Sequence, residues 1–178
     1  MLQDRIAKRY AKSLFDLAQE RNILEQVKQD FDMLDRLYHE SADLRMLLRS
    51  PIIPSRKKWA ILEKLLRGKV SEPVLQFIEI INRKGREGLL DALWAEFVVL
   101  YNRYKNITVV HLRSAAPFSD AARQTLTTRV ADALKTQVQL KETVDPELIG
   151  GFAVQIEQRL FDGTVAAALQ QVKREFAL

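Results

Sequence analysis

The sequence predicts an α+β protein in two parts: an N-terminal six-helix bundle over residues 1–105, then a small C-terminal β-α-β-β-α domain over residues 106–178. Up to Tyr104, apolar residues recur at steps of three and four, the spacing of one helix face. From Asn106 onward, β-branched and alternating segments interleave with helical ones. Charge changes at the same place. Residues 1–105 carry 20 Lys+Arg against 15 Asp+Glu, whereas residues 106–178 carry 8 of each, so the net charge of +5 belongs to the first part alone.

The first helix presents Ile6, Tyr10, Leu14, Leu17 and Ala18, and the second Leu24, Val27, Phe31, Leu34 and Leu37. A short third carries Leu44, Leu47 and Leu48. Ser50-Pro51-Ile52-Ile53-Pro54 interrupts the pattern because proline disfavours helix in the residue before it. Ser55 is positioned to cap a fourth helix with Trp59, Leu62, Leu65 and Leu66, which Gly68 would end. Ser71 and Pro73 open a fifth with Val74, Phe77, Ile78 and Ile81. Lys84-Gly85-Arg86 reads as its stop, before a sixth running from Leu89 to Tyr104.

In the second part, Asn106–Ser114 reads as a strand with Thr108, Val110 and Leu112 on one face. Ser119 caps a helix through Ala122, Leu126, Val130, Ala133 and Leu134. Val138, Leu140 and Val144 mark a second strand. A third alternates through Phe152, Val154, Ile156, Gln158 and Leu160. Asp162-Gly163-Thr164 reads as the turn into a closing helix with Val165, Leu169, Val172 and Phe176. A small sheet with helices over one face is the natural packing solution.

Composition removes several classes of function. The 178 residues include no cysteine, which excludes disulfides, thiolate zinc sites, iron–sulfur clusters and a cysteine nucleophile. The apolar run Phe97–Tyr101 falls far short of the ~20 residues needed to span a bilayer. The N-terminus has no apolar signal region, so the chain is expected to be soluble and made where it works. The two histidines, His39 and His111, lie in different parts without a second ligand at metal spacing. There is no nucleophile elbow and no Gly-rich phosphate loop. No catalytic residue, metal ligand or cofactor is therefore expected. Basic clusters at Arg56-Lys57-Lys58, at Lys64, Arg67 and Lys69, and at Arg83, Lys84 and Arg86 leave nucleic-acid binding as the rival reading. Acidic residues interleave throughout, which favours solvated faces and protein contacts.

Four segments carry a family resemblance. The first is Tyr10-Ala11-Lys12-Ser13-Leu14-Phe15-Asp16-Leu17-Ala18-Gln19-Glu20. The second is Leu48-Arg49-Ser50-Pro51-Ile52-Ile53-Pro54, followed by Lys57. The third is Asn82-Arg83-Lys84-Gly85-Arg86. The most specific is Val144-Asp145-Pro146-Glu147-Leu148-Ile149-Gly150-Gly151-Phe152, with Asp162-Gly163-Thr164-Val165. In this order the segments resemble the delta subunits of bacterial F-type ATP synthases, related to the mitochondrial oligomycin-sensitivity-conferring protein. Thr164 stands where the family more often has serine, keeping the hydroxyl. Ala166, Ala167 and Ala168 stand where it often has a basic residue.

The resemblance implies a non-catalytic stator subunit without cofactor, one copy per complex, peripheral to the cytoplasmic side of a bacterial plasma membrane. Its helical part would bind the N-termini of the alpha subunits of the catalytic head, and its C-terminal part the b-subunit stalk. Candidate alpha-subunit contacts are Tyr10 and Ser13 on the first helix and Phe77, Ile80 and Ile81 on the fifth, where core packing competes as an explanation for Phe77 and Ile81. Candidate stalk contacts are Val165, Leu169, Val172 and Phe176, some of which must pack on the sheet. Asp145, Gly150, Gly151, Asp162 and Gly163 read as a structural signature, with Asp145 and Asp162 as turn residues.

Overall fold

A computed structural model describes residues 2–156 and 159–176, apart from the side chains of residues 2, 3, 171, 172, 175 and 176. The chain divides into two compact units, Met1–Tyr101 and Asn102–Leu178, the division falling in the last turn of the sixth helix.

The first unit contains α1 (Leu2–Glu20), α2 (Leu24–Glu40), α3 (Ala42–Arg49), α4 (Ser55–Leu66), α5 (Glu72–Arg83), a 3-10 turn (Glu87–Leu89) and α6 (Leu90–Tyr104). The apolar stripes of these helices converge on one core. Phe97 on α6 is its centre: fully buried, it meets Phe31 of α2 nearly edge-on at 4.8 Å and Phe15 of α1 at 5.9 Å. Tyr38 packs edge-on against Trp94 at 5.6 Å, and its hydroxyl donates to Asp91. Burying each such side chain is worth about 1.5–3 kcal/mol.

Local chemistry sets the helix ends. After α1, Asn22 takes a left-handed φ of 55°, and the amide of Ile23 bonds back to Ala18. After α5, Gly85 has φ 64°, with Gly85 N–H donating to Asn82 and Arg86 N–H to Ile81. These are Schellman closures, which satisfy carbonyls that a helix end leaves open. Two helix starts use their serines differently from a local cap. Ser55 is the first residue of α4 behind Pro54 and makes no cap. Ser71 does precede α5, but its amide and hydroxyl both donate to Asp30 of α2, a tertiary tie in place of a local one.

The second unit contains β1 (Ile107–Ser114), α7 (Asp120–Leu134), β2 (Gln137–Val144), β3 (Gly151–Ile156), β4 (Arg159–Thr164) and α8 (Val165–Phe176). The sheet order is β2-β1-β3-β4. β1 and β2 are parallel and use α7 as their crossover, and the other neighbours are antiparallel. Val110, Leu112 and Val154 form the small core, with Leu126, Val130, Val138 and Leu140 packed against it.

The expected β-α-β-β-α order is corrected here to β-α-β-β-β-α. The segment read as one strand from Phe152 to Leu160 is two paired strands, in which Ile156 faces Arg159 and Gly151 faces Thr164. Gln158 lies outside the described residues. The reversal puts Phe161 on the face of Val154 and sends Leu160 to the other. Glu157-Gln158 carries none of the Gly or Asn signals of a tight hairpin, so nothing local announced it. Asp162-Gly163-Thr164 therefore ends a strand rather than forming a turn.

Candidate partner-binding surfaces

In the helical unit, the N-terminal candidates separate by burial. Tyr10 is half-buried on α1, and its hydroxyl accepts a hydrogen bond from Arg86 Nη1 at 2.6 Å. The Arg86 guanidinium also lies over the Tyr10 ring, 5.5 Å from its centre, with Arg9 at 6.0 Å. Tyr10 is thus joined to the C-terminal end of α5, where the Gly85 closure aims Arg86. Sequence reading placed Arg86 in a helix stop, a basic cluster and a family segment, but not beside Tyr10; its position after a Schellman glycine was the available signal. Ser13 is exposed, and its hydroxyl donates back to the Arg9 carbonyl. On α5, Phe77 is half-buried against the core, whereas Ile80 is 49% exposed. Ile81 is 0% exposed and belongs to the core. It offers no surface to a partner, which corrects its place among the contact candidates: it lies four residues after Phe77, one helical turn further along the inward face.

The basic clusters are less basic in three dimensions. Lys58 is buried, its ammonium donating to Glu87 Oε1 at 2.6 Å and to the Leu48 carbonyl at 3.1 Å. Arg67 pairs with Glu63, Arg83 with Glu79 and Arg49 with Asp91. Such pairing weakens the continuous positive footprint that a phosphate backbone requires.

In the C-terminal unit, the pairing of β3 with β4 brings the two halves of the signature together. Asp145 Oδ1 accepts from the Glu147 amide, an Asx turn. Gly151 has φ 84°, and a Cβ there would stand 2.3 Å from the Gly163 carbonyl oxygen. Gly150 takes the amide of Val165 on its carbonyl, and a Cβ on it would meet the Val165 side chain at 3.1 Å. Asp162 Oδ1 accepts from the Thr164 amide, which holds its carboxyl below the usual range. Thr164 Oγ1 in turn accepts from the Ala167 amide and caps α8. These residues shape the entry into α8.

On α8, Val165 and Leu169 are exposed, at 42% and 54%. The Val172 and Phe176 side chains lie outside the described residues. Sequence reading named no residues of the sheet or of α7 for a partner surface; the structure has a groove of about 360 Å³ between α7 and the β3–β4 half of the sheet. Its apolar character was visible in the residues, but which strand half α7 covers was not.

No group of three or more potential metal ligands occurs among the described residues, and no helix among them is long and apolar enough to cross a membrane. A helical unit and a small α/β unit, each with several apolar side chains exposed, make up the chain. The chain belongs to the family described as ATP synthase delta (OSCP) subunit, whose profile matches residues 6–176. Relatives include the ATP synthase subunit delta of Symbiobacterium thermophilum, 34% identical over 97% of this chain and 92% of that one. That of Acidiphilium cryptum is 35% identical over 96% and 89%. Among solved structures, a chain of the Toxoplasma gondii mitochondrial ATP synthase hexamer superposes with a TM-score of 0.77, covering 97% of both chains at 20% identity. A chain of the Polytomella F-ATP synthase covers 56% of this chain and 88% of its own, with a TM-score of 0.52 at 21% identity. At these identities the likeness is one of fold.

Proposed function

We propose that this chain is a peripheral-stalk stator subunit of an F-type ATP synthase, holding the catalytic head against rotor torque while catalysing nothing itself. The observation that carries this reading is that one family match runs through both compact units, so both ends of a connector are present in one chain. The helical unit takes the N-terminal segment of an alpha subunit as an amphipathic helix in a groove. Tyr10 is its polar-tipped aromatic anchor, Ser13 and Phe77 flank it, and Ile80 is the exposed apolar contact. The C-terminal unit takes the end of the b-subunit stalk, a reading supported by the exposure of Val165 and Leu169 on α8. The subunit works as one copy on the cytoplasmic side of a bacterial plasma membrane, attached through the complex. Because the two contacts act in series, each must by itself hold against the load.

The test is add-back. Membranes stripped of the subunit should lose ATP-driven proton pumping while the detached head keeps hydrolysing ATP, and the purified chain should restore pumping. Unchanged pumping in fully stripped membranes overturns the reading.

A further inference from the structure

The ion pairs of the helical unit leave a run of cations unpaired on α4. At about 3.6 residues per turn, Arg56, Lys57, Ala60, Ile61 and Lys64 fall on one arc of roughly 140°, and all five are exposed. Arg56, Lys57 and Lys64 form no ion pair among the described residues. Glu63, the one acidic residue of α4, lies beyond the edge of the arc and is paired with Arg67. Ile61 is 48% exposed, and Ile52, in the segment leading into α4, is 88% exposed. The run is also locally unfavourable. Arg56 and Lys57 stand in the first turn, where the helix dipole disfavours positive charge. The other α-helices of this unit carry an acidic residue there: Asp4, Glu25, Asp43, Glu72 and Asp91. Departures from a local rule of this kind are expected where a surface serves a contact outside the chain.

The residue types select the occupant. From Arg56 to Lys64 the arc is about 12 Å long, two turns of a helix. Cations stand at both ends, with Ala60 and Ile61 between them. This fits a segment that is acidic at its flanks and apolar at its centre, and Ala60 has no bulk to hold a partner helix away. A phosphate backbone would leave Ile61 and Ile52 unused, and the arc has no aromatic side chain on which a base could stack. A bilayer fits poorly, because Leu62 and Leu66, which α4 would have to insert, are buried in the bundle core. The arc also begins beside α5, the helix that carries Ile80: Asn82 Nδ2 donates to the Ser55 carbonyl at 2.9 Å, one residue before Arg56.

We propose that this arc is a second contact of the helical unit with the catalytic head. It takes an acidic amphipathic helix whose apolar residues lie on Ala60 and Ile61 and whose carboxylates face Arg56, Lys57 and Lys64. The proposal rests on the stator reading and adds a site separate from the alpha-subunit contact at Tyr10 and Ile80.

The experiment titrates the full-length chain with the detached cognate head and, in parallel, with a peptide of the cognate alpha-subunit N-terminus. Lys57→Glu combined with Lys64→Glu should weaken head binding at least tenfold and flatten its salt dependence. Ile61→Asp should weaken it severalfold. Both variants should bind the alpha peptide within twofold of wild type, which also reports a folded bundle. Arg21→Glu combined with Arg36→Glu, the same change of net charge at exposed positions of the same unit, should change head affinity less than threefold. Unchanged head binding in the α4 variants overturns the proposal and leaves the stator reading standing. An equal loss in the Arg21 and Arg36 control makes the effect one of net charge, and a loss of both ligands by every α4 variant makes the arc structural; each overturns the proposal. If the wild-type chain binds no head, both readings fall. Binding to vesicles of anionic phospholipid or to duplex DNA, abolished by the α4 charge reversal while head binding persists, assigns the arc to that surface and overturns the proposal as well.

Discussion

Lys58 Nζ lies 2.6 Å from Glu87 Oε1, with both side chains buried, and so ties α4 to the 3-10 turn that leads into α6. The same ammonium holds the Leu48 carbonyl at the end of α3. One cation thus links the end of α3, helix α4 and the 3-10 turn. Removing one member of a buried pair strands the other charge, at a cost of about 3–5 kcal/mol. Lys58→Met should therefore destabilise the chain by that amount in chemical denaturation. Adding Glu87→Leu should recover at least about 2 kcal/mol of it, because the uncompensated carboxylate is gone. A double variant no more stable than the single one would show that the Leu48 contact, not the ion pair, dominates.

Adjacent isoleucines on α5 should behave in opposite ways. Ile80 is half-exposed, so Ile80→Asp should leave stability within about 1 kcal/mol of wild type while weakening the alpha-subunit peptide more than tenfold by calorimetry. Ile81 is fully buried, so Ile81→Ala should cost about 2–5 kcal/mol and affect binding only through folding. Equal effects of the two changes on affinity, with both variants folded, would remove Ile80 from the contact.

The two signature glycines are not equivalent. At Gly151, φ is positive, and an added Cβ would collide with the backbone of Gly163 and Thr164, at 2.3 and 2.9 Å. A left-handed non-glycine residue alone costs about 1–2 kcal/mol, and the collision adds to that. Gly150→Ala meets only the end of the Val165 side chain, which can rotate. Gly151→Ala should therefore abolish amide dispersion of the C-terminal unit in NMR spectra, whereas Gly150→Ala should retain it.

Glu142 accepts the Phe118 amide at 2.8 Å and Arg123 Nε at 2.6 Å. The backbone bond first, and then Arg123, hold its carboxyl below its ordinary value of 4.5. A carboxylate depressed on folding stabilises the fold above its unfolded pKa, and that contribution is lost as pH falls through the folded value. Glu142→Gln should thus lower the thermal stability of the C-terminal unit at pH 7, and the difference from wild type should shrink as the pH falls below 4.5. The substitution should also loosen Phe118, which packs edge-on against Phe152 at 5.4 Å at the border of the groove.

Much of the fold was legible because its causes are local. The stripe Leu24, Val27, Phe31, Leu34 defines α2 by spacing, Gly85 ends α5 by its left-handed φ, and Ser119 caps α7 through the Ala122 amide. The family resemblance was equally a property of the linear order of motifs. What the sequence by itself determined is the helix inventory of the first unit, the change to strands after Asn106, and the signature around Gly150-Gly151. Only the tertiary structure decided that Lys58 leaves the basic surface for Glu87, 29 residues away, and that Ile81 is core while Ile80 is not. It alone paired Gly151–Ile156 with Arg159–Thr164 and set a groove between α7 and that half of the sheet. The physical reason is common to these cases. Spacing along a chain determines which residues share a face, but burial and charge pairing depend on what another segment brings to that face.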